Sequence, residues 1–290
     1  MKQLLVLSGK GGTGKTTVAA ALIQLSSARA YADCDVDAPN LHLLMDWHQE
    51  GISTDFYGMP KAKIDLEKCI QCGKCAEICR FHAVDKKDSL YEIDPYGCEG
   101  CGFCEVVCPV GAIRMEDTIA GDLLLYSADT VFSTAKLRMG QGTSGLLVTE
   151  VKKQLKDAVI EAEWAIIDGS PGIGCPVIAS LSGVDQVLLI AEPSISGISD
   201  LKRIVLTARH FQISMKICIN KYDINLEKTK EIEAYCESES LELVGKIPFD
   251  PFALQAVNEG KTIVEMACPS GDAVREIYRK IQKQMQEDKG

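Results

Sequence analysis

No stretch of this chain approaches the ~20 consecutive apolar residues that a helix needs to cross a bilayer, so no integral membrane segment is expected. A surplus of positive charge is also missing: 31 Lys and Arg stand against 41 Asp and Glu, a formal net charge of −10. Phosphate backbones are held by such a surplus, so nucleic acid is not expected as a general partner. The opening apolar run, Leu4-Leu5-Val6-Leu7, is too short for the hydrophobic region of a secretory signal and reads as a core strand. A cytoplasmic location follows as the expectation. In that reducing compartment 13 cysteines imply metal or redox chemistry rather than disulfides. What the chain does have is 46% apolar content over 290 residues, which suits one large α/β domain with an appendage, or two modest domains.

The first strand runs into Ser8-Gly9-Lys10-Gly11-Gly12-Thr13-Gly14-Lys15-Thr16-Thr17 and then a helical pattern, Val18 to Ile23. Strand, glycine-rich loop and helix together make a phosphate-binding loop. Gly11, Gly12, Thr13, Gly14, Lys15, Thr16 and Thr17 are the candidate nucleotide contacts. The glycines let successive N–H groups face phosphate oxygens, and the helix dipole adds positive potential there. Lys15 is placed to reach the terminal phosphates and the Thr16 hydroxyl to ligate Mg²⁺.

Three spaced acids, Asp33, Asp35 and Asp37, end the next strand pattern, where ligands bind in open parallel sheets. Asp35 is the candidate for positioning the attacking water; Asp33 and Asp37 are candidates for the magnesium's water shell, or caps for a short helix over 40–46. Trp164 to Asp168 is a second apolar strand ending in an acid, and Asp168 is expected to hold the magnesium shell.

Between these segments the composition changes. From Lys61 to Asp117 two runs are written alike: Cys69, Cys72, Cys75, Cys79, then Cys98, Cys101, Cys104, Cys108, followed by Pro109. This is the spacing of bacterial two-cluster ferredoxins, in which each run's fourth cysteine ligates the other cluster. One [4Fe–4S] cluster therefore takes Cys69, Cys72, Cys75 and Cys108, and the other Cys98, Cys101, Cys104 and Cys79. Zinc sites usually pair cysteines rather than run four together. Arg80 stands where the first run lacks the proline that Pro109 supplies to the second, and its charge is expected to raise a cluster's potential.

Lys10 inside the phosphate loop resembles the deviant Walker A signature of the MinD/ParA/nitrogenase-iron-protein superfamily. The resemblance implies ATP, a homodimer, and a Lys10 that reaches the partner subunit's nucleotide. It also makes Asp33 to Asp37 similar to switch I and Asp168 to Gly172 similar to switch II. Asn220, ahead of Lys221 and Asp223, looks in isolation like a guanine-reading motif. In this family an Asn at that strand end contacts adenine, so ATP is preferred to GTP, with Pro248 and Asp250 in the base-flanking loop.

Cys175 has a spacing from Asp168 similar to that of one cluster-bridging cysteine of the nitrogenase iron protein. The matching glycine-rich segment, Gly142 to Gly145, carries no cysteine for the second bridge. Cys175 is thus expected as a buried structural thiol, with a transient ligand at the dimer axis as the other reading. Cys34, Cys218, Cys236 and Cys268 show no ligand spacing and read as ordinary thiols. The last apolar stripe, Val274, Ile277, Tyr278, Ile281 and Met285, reads as a closing helix on the sheet rather than a membrane-surface helix.

The expected fold is α/β: a doubly wound, mostly parallel P-loop sheet over residues 1–60 and 118–290, with an inserted α+β ferredoxin domain over 61–117. Whole-chain resemblance is to MinD-superfamily ATPases carrying that insertion; the related cobyrinic acid a,c-diamide synthases need a glutamine amidotransferase domain for which there is no room. The implied activity is ATP hydrolysis coupled to electron transfer or metallocofactor assembly with an unidentified protein partner. A positioning or scaffolding ATPase with structural or redox-sensing clusters is the alternative.

Overall fold

Strand β1 (Lys2–Ser8) lies inside a nine-stranded sheet. Its side chains alternate between two cores: Leu5 and Leu7 face one, Leu4 and Val6 the other. A strand covered on both faces has no polar side, which is why its sequence reads as an unbroken apolar run. The computed structural model describes residues 1–45, 50–159 and 161–287.

After β1 come α1 (Lys15–Ser26), β2 (Ala30–Asp33) and β3 (Ile52–Tyr57). A small lobe follows, containing β4 (Lys61–Ile64), α2 (Lys74–Ile78), β5 (Val84–Lys87), β6 (Leu90–Ile93), α3 (Phe103–Val107) and β7 (Ile113–Glu116). The sheet resumes with β8 (Ile119–Ser127), β9 (Val131–Leu137), α4 (Ser144–Ala158), β10 (Trp164–Asp168), α5 (Cys175–Leu181), β11 (Gln186–Ala191), α6 (Ile195–His210) and β12 (Ser214–Asn220). It closes with α7 (Leu226–Ser238), β13 (Glu242–Ile247), α8 (Pro251–Asn258) and α9 (Pro269–Glu287).

The strand order is β13-β12-β11-β1-β10-β2-β9-β8-β3. Every pair from β13 to β9 is parallel, and β8 pairs antiparallel with both β9 and β3. Helices α4 to α7 contribute to one core, and α1, α8 and α9 to the other. The expected short helix over 40–46 is a 3₁₀ turn, Leu41–Leu44; Asp46 lies outside the described residues.

The closing helix packs as its stripe predicts. Val274, Ile277 and Ile281 are fully buried and Tyr278 packs beside them; the Met285 side chain lies outside the described residues. Drawing α9 off the sheet would forgo about 1.5–3 kcal/mol for each buried aliphatic side chain, so this face is committed to the core. Among the described residues no helix is long and apolar enough to cross a membrane.

The lobe leaves the sheet at a narrow neck, where the Gly58 N–H donates to Thr118 O at 3.1 Å. Its two halves repeat each other. The first strand of each half pairs antiparallel with the last strand of the other, β4 with β7 and β6 with β5. Asp65 and Asp94 occupy equivalent turns, accepting from Glu67 N and Tyr96 N. Gly73 and Gly102 precede α2 and α3 in the left-handed conformation, at φ 81° and 73°, which removes the Cβ that would oppose it.

Candidate functional site

The phosphate loop sits between β1 and α1 at the carboxyl end of the sheet. Gly14, at φ 87°, also admits a close neighbour: a Cβ there would stand 2.3 Å from Asn220 Nδ2. Gly11 and Gly12 form an exposed crest, Thr13 is buried beneath it, and Thr17 is half-buried on the first turn of α1. Lys15 is only 6% exposed and pairs with the fully buried Asp168, Nζ to Oδ1 at 2.5 Å. Thr16 Oγ1 donates to the other carboxylate oxygen of Asp168 at 2.6 Å. The structure thus joins the candidate phosphate lysine, the candidate metal hydroxyl and the candidate metal acid. An oxygen pair of this kind suits Mg²⁺, a hard cation.

Asp33 faces Asp168 across the β2–β10 register. It accepts hydrogen bonds from the backbone N–H groups of Asp35, Asn40 and Leu41 at 2.9–3.0 Å. Burial and the neighbouring Asp168 charge raise its pKa to about 7, against the Leu41 and Asp35 N–H groups and the Lys15 charge. Asp33 therefore staples the loop that carries Asp35. Asp35 itself is half-buried; burial raises its pKa, opposed by the nearby Lys15. Asp37 is exposed.

Lys10 is held within its own chain. Its Nζ pairs with Glu192 Oε2 at 2.6 Å and donates to Ser194 and Ser196 Oγ at 3.2 and 3.3 Å. Glu192 also receives Lys221 Nζ at 3.1 Å, and that ammonium bonds Gly12 O at 3.0 Å. Burial works against the Glu192 carboxylate, yet its two lysine partners hold its pKa below the usual range. No sequence pattern marks Glu192, which lies far along the chain from Lys10.

The expected base-side residues do structural work in this arrangement. Asn220 Nδ2 donates to Thr13 O at 2.6 Å, holding the phosphate loop from below. Asp250 caps α8 through Phe252 N and also accepts from Ser270 N, both at 3.0 Å. Pro248 is half-buried between β13 and α8, and the adjacent Phe249 N–H donates to Asp223 at 2.7 Å.

In the lobe, two cavities divide the eight cysteines. One, with about 330 Å³ of space partly open to solvent, is lined by Cys69, Cys72, Cys75 and Cys108. The other, about 380 Å³, is lined by Cys79, Cys98, Cys101 and Cys104. Backbone N–H groups point at the sulfurs: Ala112 to Cys108 at 3.2 Å, Ala83 to Cys79 at 3.4 Å, and Ala62 to Cys98 at 3.5 Å. Such donors favour thiolate over thiol. Burial opposes this at Cys108, but its surrounding N–H groups, Ala112 first, lower its pKa. None of the eight is in a disulfide. Among the described residues no three His, Cys, Asp or Glu side chains are grouped to hold a single metal ion.

Cys34, Cys218, Cys236 and Cys268 are buried, as ordinary core thiols are. Cys175 corrects the expectation of a buried thiol: it is exposed, at the first position of α5. It follows the turn Gly172–Gly174, and a Cβ built on Gly145 would stand 3.2 Å from the Cys175 Cβ.

A phosphate loop at the carboxyl edge of a parallel sheet, facing an acid on the neighbouring strand, defines a P-loop nucleotide-binding protein. The chain belongs to the CobQ/CobB/MinD/ParA nucleotide-binding family, which matches residues 4–263. It is 31% identical to an uncharacterized protein of Methanocaldococcus jannaschii, covering 97% of this chain and 96% of that one. It is 26% identical to an iron–sulfur cluster carrier protein of Pyrococcus furiosus, covering 99% and 88%. Its fold resembles the septum site-determining protein MinD of Pyrococcus horikoshii, solved with Mg-ADP, with TM-score 0.59, 17% identity, and 98% and 96% coverage.

Proposed function

We propose that this chain is an Mg-dependent ATPase whose homodimer switch is coupled to two [4Fe–4S] clusters in an inserted ferredoxin domain, serving electron transfer or metallocofactor assembly. The observation that carries the reading is the cysteine partition: each cavity is lined by the quartet that the crossed ferredoxin pattern requires. The iron–sulfur carrier among the relatives supports the cargo, and the Mg-ADP complex of a fold relative supports the nucleotide.

Thr16 and Asp168 are the residues that would hold Mg²⁺, which supplies charge neutralisation beside the outer phosphates. Lys15 leaves Asp168 for the phosphates, and Lys10 leaves Glu192 to reach the partner subunit's nucleotide. Both then stabilise charge that grows as the phosphoryl group transfers. Asp35 accepts a hydrogen bond from the attacking water and fixes its direction, from a loop that Asp33 holds still. Asn220 and Pro248 bound the base side, and Asp250 fixes the loop that follows them. The cysteine thiolates, with their N–H donors, would hold clusters that store single electrons.

The test is anaerobic reconstitution followed by iron and sulfide analysis, with cluster potentials measured with and without ATP. The expected result is about eight irons per chain and an ATP-dependent change in potential that Lys15→Ala abolishes. Potentials indifferent to ATP, together with ATP-dependent association with a surface or filament, would establish the positioning switch instead. Absence of hydrolysis, with no effect of Lys15→Ala, would leave a ferredoxin that merely binds nucleotide.

A further inference from the structure

Segment 137–145, from the last residue of β9 into the first turn of α4, touches both acid-bearing loops of the nucleotide site. At its start the Leu137 N–H donates to Val36 O at 2.9 Å, next to Asp35. At its end Gly145 lies against Cys175, where a Cβ on the glycine would stand 3.2 Å from the Cys175 Cβ. Cys175 closes the loop that begins at Asp168, and that loop is tied to β1 by Gly172 N donating to Ser8 O at 3.1 Å.

The middle of the same segment meets the lobe. The Tyr96 ring lies over Gly140, with Cδ1 2.6 Å from where a Cβ would be, and the Glu99 carboxylate approaches Gly142. Tyr96 and Glu99 flank Cys98, whose carbonyl accepts from Lys61 Nζ and whose sulfur faces Ala62 N. Gly140 is at φ 79°, so any side chain there would be both strained and driven into the ring.

The lobe's internal repeat provides a comparison within the same fold. The positions equivalent to Tyr96 and Glu99 in the first half are Glu67 and Ile70, and all four side chains are largely exposed, Tyr96 at 67% and Ile70 at 60%. What sets the second run apart is therefore not burial but the close approach of Tyr96 to Gly140 and of Glu99 to Gly142. The segment also carries an unsatisfied polar group. Thr143 precedes α4 as its cap residue, yet its hydroxyl is buried with no hydrogen-bond partner. A threonine at this position ordinarily accepts an N–H from the first turn, and that bond is not made here.

We propose that segment 137–145 transmits the state of both nucleotide loops, through Tyr96 and Glu99, to the Cys79/Cys98/Cys101/Cys104 quartet and not to its twin. This rests on the coupled reading above and specifies which quartet the nucleotide controls. Coupling of this kind requires an element that both sites bias, and the segment is in contact with each.

The experiment is hydrogen exchange on the reconstituted full chain, comparing ADP with a non-hydrolysable ATP analogue, in native protein, Tyr96→Ala and the matched control Glu67→Ala. Both substitutions are of exposed residues outside the nucleotide site. Native protein and Glu67→Ala should show a severalfold nucleotide-dependent change in exchange over 94–104 and none over 65–75. Tyr96→Ala should lose that change while its ATPase rate stays native. An equal response of both runs, no response over 94–104, or a response that survives Tyr96→Ala would overturn the proposal. Iron and sulfide counts on the same samples report separately on whether the clusters are there, so the two readings fail by different signs.

Discussion

The sheet domain buries Leu4 to Leu7 and all six residues of β11 between helices on both faces. The inserted lobe has Ala62, Cys75, Ala83, Val84, Cys98 and Ile113 as its buried core, two of them cysteines. The sheet has two extended buried cores, and the lobe has these six residues alone in its buried cluster. A lobe of this size, with no disulfide among its eight cysteines, ordinarily needs a metal to hold it. The difference teaches that the same chain uses two sources of stability: apolar burial fixes the nucleotide site, and metal–thiolate bonds are expected to fix the lobe.

The largest effect therefore belongs to iron removal. A chelator under reducing conditions should unfold 61–116 while leaving the sheet intact, since binding free energy of a small metal domain is folding free energy. Limited proteolysis should then cut within that segment alone and release a sheet domain that still binds nucleotide. A lobe that stays protected without iron would show that its six-residue core suffices, and the contrast would collapse.

Next in size is the loss of the phosphate lysine. Lys15→Ala should reduce ATP hydrolysis by roughly 10²–10³-fold, the usual scale for removing one preorganised charge from a transferring group. Thermal stability should fall as well, because a fully buried carboxylate loses its ammonium partner. The substitution does leave Asp168 buried without its 2.5 Å partner, so Lys15→Arg serves as the variant that keeps a charge there. Near-native turnover in Lys15→Ala would remove the chemistry from this loop.

These two regions also differ in how legible they were. The phosphate loop, Asp168 and the cysteine quartets are contiguous patterns with fixed spacing, and such patterns survive reading without coordinates. The Lys10–Glu192–Lys221 cluster joins residues from three strand ends, and no local rule links them. The contact of the Asn220 amide with the loop carbonyl of Thr13 was not legible either, because it depends on the strand order. The antiparallel edge also carries no local pattern: β3 is set by its pairing with β8, and β9 by its pairing with β2 and β8. Cys175 was misjudged because a cysteine beside an apolar helix start looks buried until the preceding turn is seen.

A smaller effect tests what the sheet domain tolerates in return for its site. Asp33 has a native pKa of about 7 against an ordinary value of 3.8, raised by burial and Asp168. Between those values the folded state binds more protons than the unfolded one, so this group's contribution weakens stability as pH rises from about 4 to 7 and is level above that. In nucleotide-free protein, the urea midpoint of native chain minus that of Asp33→Asn should therefore fall over this window. A difference that stays level over this window would mean that the three N–H donors outweigh burial and the carboxylate is ionised throughout it.

The smallest effect lies inside the lobe, where the repeat itself breaks. Pro109 follows Cys108, but Arg80 follows Cys79, which leaves an N–H donor and a positive charge beside the Cys79/Cys98/Cys101/Cys104 quartet. Arg80 is exposed, so solvent and salt screen it, and the shift should be on the order of tens of millivolts at most. Arg80→Pro restores the pattern of the other half. Removing the charge disfavours the reduced, more negative cluster, so the potential of that quartet's cluster should fall and the two halves should move apart or together accordingly. Redox titration followed by electron paramagnetic resonance reads each cluster separately. A potential unchanged by Arg80→Pro would mean that the departure from the repeat is confined to the shape of the turn.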